Sequence, residues 1–427
     1  MTSIASPPQQ APPPASASDL PDAPVPASTR PTPVTLRRLA VACVVTAILA
    51  GIFISVASFQ RASRLNDAAA KTQQLVVLTD ARSQMAAAHA AATRAFLVGG
   101  VEDAEGRDAY LAAVDAATSD LNAAAASGIG DTAAIASIAE GVGAYRGTIE
   151  YARALNRQNL PLGSAYLRSA GDGLATEVVE PLDAEIASVR GSIQTNAPPV
   201  TVALATIAVL AFAACFVWSS VLLLRHTRRY LNVGVVLGGG LVVVVLLAFL
   251  VATVGITSTV NDAVDGPLRD TTQIAQARAD VFDARSSMNL ALIARGSGAT
   301  FLARVDDDLA DARTRLGSVV GTDGNRLDTA LEDFSEQLQV VRDADSGGDY
   351  AEAVRLATVR DEGVGPAFDA FDQVSAQVLA ARAAEADDAL TSGRPWLLVL
   401  TVAAVLAGVL GAAAAWSGIG QRRKEYM

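Results

Sequence analysis

Little in this sequence of 427 residues is equipped for catalysis. It holds two histidines and two cysteines, and both cysteines, Cys43 and Cys215, sit inside apolar runs. No glycine-rich phosphate loop opens a helix after a strand, so nucleophile, general base and phosphate cradle are all missing. These absences predict a protein that is not an enzyme and that uses no cofactor or metal. The acidic run Asp306, Asp307, Asp308 and Asp311 lacks the loop spacing and glycine of a calcium site and reads as a solvated helix face. A basic surface is missing as well. The two large polar stretches carry net charges of −5 (11 basic against 16 acidic) and −12 (13 against 25), which excludes nucleic acid as a partner because nothing there neutralises phosphates. Alternating strand patterns are absent too, while Ala, Leu, Glu, Asp and Arg abound, and helices follow.

The apolar residues are gathered rather than spread. Residues 39–58, 200–224, 233–256 and 396–416 each lack a charged side chain and reach the length that crosses a hydrocarbon core of about 30 Å. The first run lies behind a tail of more than thirty residues without a clear cleavage site, so it reads as a membrane helix and not as a signal peptide. Cys43 is a poor lipidation site, because Ala40 stands where a lipobox has leucine. Basic residues at the run ends set orientation: Arg37 and Arg38, then Arg225, Arg228 and Arg229, then Arg422, Arg423 and Lys424 all favour the cytoplasm. The expected fold is an all-α membrane protein with four transmembrane helices and two tandem extracytoplasmic four-helix-bundle, sensor-like domains. In order, these are a Pro-rich cytoplasmic tail (1–36, with ten prolines), membrane helix (37–59), outer bundle (60–197), membrane helix (198–224) and cytoplasmic turn (225–230). Membrane helix (231–257), second outer bundle (258–394), membrane helix (395–418) and basic tail (419–427) complete the chain. None of the four runs carries an ionisable residue, which argues against a transport pathway. Small residues at four-residue spacing, Gly234 and Gly238 or Ala404, Gly408 and Ala412, predict close helix packing within a membrane bundle or a homodimer. Neither Gly nor Pro falls between Gly51 and Gly99, so the first membrane helix is expected to continue outward as one rod. Gly266 and Pro267, and Gly393 and Pro395, predict hinges in the second half.

The two outer stretches repeat each other. "DARSQM" at 80–85 returns as "DARSSM" at 283–288; "YLAAVDAATSDL" from 110 answers "FLARVDDDLADA" from 301; "AYRGTIEYARAL" from 144 answers "DFSEQLQVVRDA" from 333; and "VVEPLDAEI" from 178 answers "GVGPAFDAF" from 363. Markers in the same order describe a tandem duplication. Short loops at 127–131 and 321–325 suit an up-and-down bundle. Helical steps along the first outer helix give Leu75, Leu78, Arg82, Met85, His89, Ala92 and Phe96, and in the second copy Arg278, Val281, Arg285, Met288, Leu292 and Arg295. Arg82 and Arg285 thus fall on the apolar stripe, and an unpaired buried charge there is costly. The partner is either an Asp or Glu of another helix of the same bundle, or water, or a carboxylate brought by a ligand or another protein, for which Arg offers a planar fork. With the aspartates that open each hexapeptide, Asp80 and Asp283, these arginines form the candidate ligand or switch seam. His89 reads as a packed seam residue.

Paired helical sensor bundles resemble the ligand-binding domains of bacterial chemoreceptors and sensor kinases, but the signalling coiled coil of those proteins is not found here. The duplicated layout, Pro-rich inner tail and small cytoplasmic parts resemble the GlnX family of membrane proteins over the whole chain. That resemblance implies an extracytoplasmic amino-acid-binding lipoprotein (GlnH) as the outer partner and a soluble serine/threonine kinase (PknG) as the inner one, with external aspartate or glutamate as the signal. On that reading the basic residues Arg225, Arg228, Arg229, Arg422, Arg423 and Lys424 are the contacts for the cytoplasmic partner. A direct small-molecule receptor and an envelope scaffold are the alternatives.

Overall fold

The computed structural model describes residues 33–98, 104–158, 160–194, 262–319, 321–359 and 361–425, with helical pieces between 207 and 255. The Pro-rich tail to residue 32 and the turn at 225–230 lie outside the described residues, as does most of the second apolar run. Among the described residues the chain is helical and has no strand.

The first helix, α1 (Pro33–Val98), is unbroken over 66 residues, about 100 Å at 1.5 Å per residue. The absence of glycine and proline between 51 and 99 thus produces the expected rod. There follow α2 (Ala104–Ser127), α3 (Thr132–Arg157), α4 (Leu162–Gly173) and α5 (Glu180–Gln194), the last two joined by a π-helical turn, Leu174–Val179. Asp131 caps α3 by accepting from the Ala133 and Ala134 amides. Leucines and isoleucines at helical spacing bring these elements around one apolar core that includes Leu75, Leu78 and Met85 of α1, Leu121, Ile138, and Leu182.

The second half repeats the plan with differences. Its helices are α6 (Arg269–Ala294), α7 (Ala299–Leu316), α8 (Thr322–Ser346), α9 (Tyr350–Thr358) and α10 (Val364–Ser392), followed by α11 (Arg394–Glu425). Val281, Met288, Phe334, Phe368 and Phe371 centre a second core. The expected loop at 321–325 lies four residues earlier. Gly321 takes φ +93°, and Gly324 already belongs to α8, where a Cβ would collide with the Val319 carbonyl oxygen. The fourth helix of this half is split into α9 and α10 at Gly363, whose φ of +69° and contact with Leu356 exclude a side chain. Neither expected hinge opens. Pro267 is absorbed in a π-helical turn, Val264–Leu268, that leads directly into α6, and Gly393 keeps near-helical angles (φ −77°, ψ −18°) between α10 and α11.

Two helices, Val41–Val98 and Val364–Ala414, are long and apolar enough to cross a membrane, and the shorter apolar helix Val243–Ala252 accompanies them. Phe249 of that helix packs on Ile54, Ala57 and Ala404. Val45, Ile52 and Phe59 of α1 and Val402, Val409 and Leu410 of α11 face outward, exposed. Trp396 and Trp416, also exposed, are twenty residues apart on α11, about 30 Å, the separation of the two interfaces where tryptophans collect. Where α1 meets α11 the backbones touch: a Cβ on Gly51 would stand 2.8 Å from the Ala404 carbonyl oxygen and 3.0 Å from the Gly408 Cα. Gly51→Leu is therefore expected to push the two helices apart and lower the unfolding midpoint in detergent, with overpacking of this kind costing about 1–3 kcal/mol. Gly143→Ala, in open space on α3, should leave the midpoint unchanged or raise it slightly. Equal behaviour of the two variants would contradict the close contact.

Candidate functional site

The two halves meet along α1 and α6, which run in the same direction. Ser83 donates to the Ala275 carbonyl (3.3 Å), and farther along Asn289 Nδ2 donates to Thr93 Oγ1 (3.2 Å). Alanines fill the spaces between, with Ala86 and Ala90 of α1 buried in the core of the second half. Into this seam the hexapeptides place their charges. Arg82 Nη2 donates to Asp283 Oδ2 at 2.8 Å, and Arg82 Nε stands 3.7 Å from Asp183 Oδ1. The arginine of one repeat is thus held by the aspartate of the other. Burial alone would pull the Arg82 guanidinium down, but Asp283, Asp183 and the more distant Asp280 outweigh it and hold the charge. Its Nη1 is buried and has no hydrogen-bond partner.

Beside this pair lies a cavity of about 530 Å³ between α1, α4 with its π turn, α6 and α7. Its wall includes Arg82 and Asp283 together with Arg168, Asp172, Arg304 and Asp308. Burial pushes the Asp308 carboxyl up to about 7, helped by Asp283 and Asp280. Asp280, bound by Arg315 Nε at 2.8 Å, is pushed by burial to about 6 in spite of that arginine. Of the acidic run read as a solvated face, Asp306 does face outward and pairs with Arg342 (2.8 Å), whereas Asp308 turns to the cavity. His89 packs against Tyr145, with Nδ1 3.2 Å from its hydroxyl, and burial pulls it down to about 4.

The remaining residues of the proposed seam lie elsewhere. Arg285 is not paired with Asp80; its guanidinium carbon lies 4.0 Å from the centre of the Phe368 ring. Asp80 lies nearer Arg278 and Asp120: burial raises it while Arg278 opposes, and Asp120 is pushed to about 6 by burial first and then by Asp80. Arg278 itself is bound by Asp372, Nε to Oδ1 at 2.8 Å. Arg225, Arg228 and Arg229 fall outside the described residues, and Arg422, Arg423 and Lys424 belong to the last turns of α11, where only the backbone is described. Sequence periodicity put Arg82 on the right face. It gave no sign of Asp183, Asp308 or the cavity, whose parts come from four helices.

Residues 64–191 match the family described as an actinobacterial sensor domain, a stretch running from the outer part of α1 through most of α5 and including Arg82. No curated protein and no solved structure matches the chain. The similarity suggests a signal-sensing role, and the two long apolar helices are compatible with a membrane protein.

Two measurements follow. In a double-mutant cycle, Arg82→Gln, Asp283→Asn and the pair are expected to show a coupling of roughly 1–2 kcal/mol in unfolding stability; a coupling near zero would mean the ion pair does not hold the halves together. For Asp308 the folded-state pKa lies above the ordinary carboxylate value, so between about pH 4 and 7 the folded protein keeps a proton that the unfolded chain has lost, and this group's contribution declines as pH rises. Asp308→Asn should accordingly gain stability relative to wild type as pH goes from 4.5 to 8. A difference that stays flat or shrinks across that range counts against it.

Proposed function

We propose that this chain is a transmembrane signal relay whose readout is a separate cytoplasmic protein. The observation that carries the reading is α1, one helix that bears Arg82 on the inter-repeat seam and continues without interruption through the apolar span. A rearrangement at the seam is thus mechanically connected to the far end of the rod. The similarity of residues 64–191 to a sensor domain supports the same role. In the finer form of the proposal, four membrane helices place both termini in the cytoplasm and two helical bundles outside the plasma membrane. External aspartate or glutamate, bound to a lipoprotein, then favours one of two seam arrangements, and a cytosolic serine/threonine kinase docks on the basic residues at 225–229 and 422–424. The GlnX resemblance supplies these partners. Physically the loaded lipoprotein must bind the two arrangements with different affinity, since a ligand shifts an equilibrium only by its differential binding.

The test is co-purification from native membranes in gentle detergent, with a tag after Met427, in the presence and absence of external glutamate or aspartate. A solute-binding lipoprotein and a cytosolic kinase are expected together, and Arg82→Gln is expected to abolish the dependence of kinase recovery on the amino acid. Recovery of neither partner would refute the relay. A second reading, a direct small-molecule receptor, is favoured by the 530 Å³ cavity walled by charges of both signs. It requires the purified protein to bind the amino acid with no lipoprotein present.

A further inference from the structure

The two hexapeptide arginines are met differently within their own repeats. Two residues beyond Pro181 the first repeat supplies Asp183, 3.7 Å from Arg82; two residues beyond Pro366 the second supplies Phe368, whose ring centre lies 4.0 Å from the Arg285 guanidinium carbon. Where one repeat provides a carboxylate, the other provides an aromatic face. Arg285 makes no hydrogen bond or ion pair among the described residues, and its Nε is sealed from solvent. Burial, followed by the neighbouring charge of Arg94, pulls it down to about 10, and Asp369 and Asp372 oppose this from a distance. Neither acid answers it directly: Asp372 is taken by Arg278, and Asp369 points to an exposed position. Arg94 is turned to the Thr358 carbonyl. A partly buried cation whose Nε is shut off from solvent and which no carboxylate meets is costly, and an anion placed there lowers the cost.

The space for one is present. A cavity of about 250 Å³ opens beside Arg285 between α1, α2, α6 and α10, walled by Ala87, Ala91, Ala109 and Phe282. It is smaller than the pockets that take drug-sized ligands. Arg94, turned to the Thr358 carbonyl, also lines it, as do Glu105 and Asp369, both exposed, and the two acids disfavour a second negative charge. We infer that this cavity binds a small monocarboxylate with an apolar body, the carboxylate facing Arg285 in the place that Asp183 takes beside Arg82, and the body lying against the alanines and Phe282. Phe368 under the guanidinium face steadies the plane and leaves the edge, where the N–H donors lie, for the carboxylate. The site is independent of the lipoprotein and kinase of the relay and of the larger cavity beside Arg82.

Isothermal titration calorimetry on the full chain in detergent, with isovalerate, benzoate and succinate as probes, tests it. Isovalerate or benzoate is expected to bind saturably and succinate much more weakly. Arg285→Gln is expected to weaken binding by roughly tenfold or more, as loss of a charge-assisted fork does, while Arg285→Lys recovers part of it. Ala109→Trp fills the cavity from its exposed side without touching Arg285 and is expected to block binding in a protein whose circular dichroism is unchanged. Arg355→Gln, which removes a surface arginine held by Glu352 and Glu362, serves as the charge control. Failure of wild type to bind either monocarboxylate at millimolar concentration overturns the inference. So does undiminished binding in Arg285→Gln or Ala109→Trp, or binding of succinate as tight as that of the monocarboxylates.

Discussion

The ion pair between Arg82 and Asp283 sets the register of everything outside the apolar spans. A guanidinium largely withdrawn from water into a helix seam is stabilised where a carboxylate meets it, and the carboxylate that does so for Arg82 comes from the other repeat, 201 residues along the chain. A slip of α1 against α6 by one residue would turn Arg82 away from Asp283 and break the Ser83 to Ala275 and Asn289 to Thr93 bonds together. Many of the apolar contacts of the seam are alanines, which pack almost equally well in several registers, although Leu97 and Leu290 also cross it. The polar pairs therefore choose among arrangements of similar apolar energy. A seam of that kind has a second use, because its preferred arrangement can be shifted by charge alone.

The duplication is not symmetric in the features that would make such a shift matter. The fourth helix of the first half runs on through its π turn, whereas that of the second is cut at Gly363. Carboxylates surround Arg82 and an aromatic ring faces Arg285. A cavity of about 530 Å³ uses the fourth helix of the first half with the second helix of the second, and one of about 250 Å³ uses the converse pair. The chain thus holds in one polypeptide the arrangement that a two-fold dimer forms from two, and it is free to make the two sites different.

What the sequence conveyed and what it withheld divide along a physical line. Properties local to one helix were legible: the unbroken rod up to Val98, the apolar stripe of Leu75, Leu78, Met85 and Phe96, and the buried His89. Properties that depend on the opposite surface were not. Helical periodicity names the face on which Arg82 lies but not the helix across from it, so an acid of the same bundle and a ligand were both open as partners; the acid that binds Arg82 at 2.8 Å comes from the other repeat, with Asp183 of its own repeat farther off at 3.7 Å, and Arg285 has neither among the described residues. Asp308 looked solvated because its neighbours Asp306 and Asp307 are, and only the position of α7 beside α4 turns it inward. The expected hinges are not seen for local reasons that composition does not reveal: Pro267 lies inside a π-helical turn, whose altered bonding accommodates the missing amide, and Gly393, with no strain upon it, stays helical.

The close contact of Gly51 with Gly408 constrains how a change at the seam can reach the inner end of α1. Backbones in contact on a small-residue face resist separation, so α1 turns about this point more readily than it leaves it. Arg82 lies 31 residues beyond Gly51, about 46 Å along the helix, and Pro33 lies 18 residues short of it, about 27 Å. For a rigid rod pivoted there, a sideways displacement at the seam appears at the other end reversed in direction and reduced to about six tenths, the ratio of those two lengths. A rearrangement of the size that separates two ion-pair partners, a few ångströms, therefore arrives as roughly half that. An effect of that size does not reorganise a domain, but it is enough to open or close a docking surface built from a few charges at helix ends. On the proposed relay, a displacement of that size suits a partner bound at those ends better than a large movement of the chain itself.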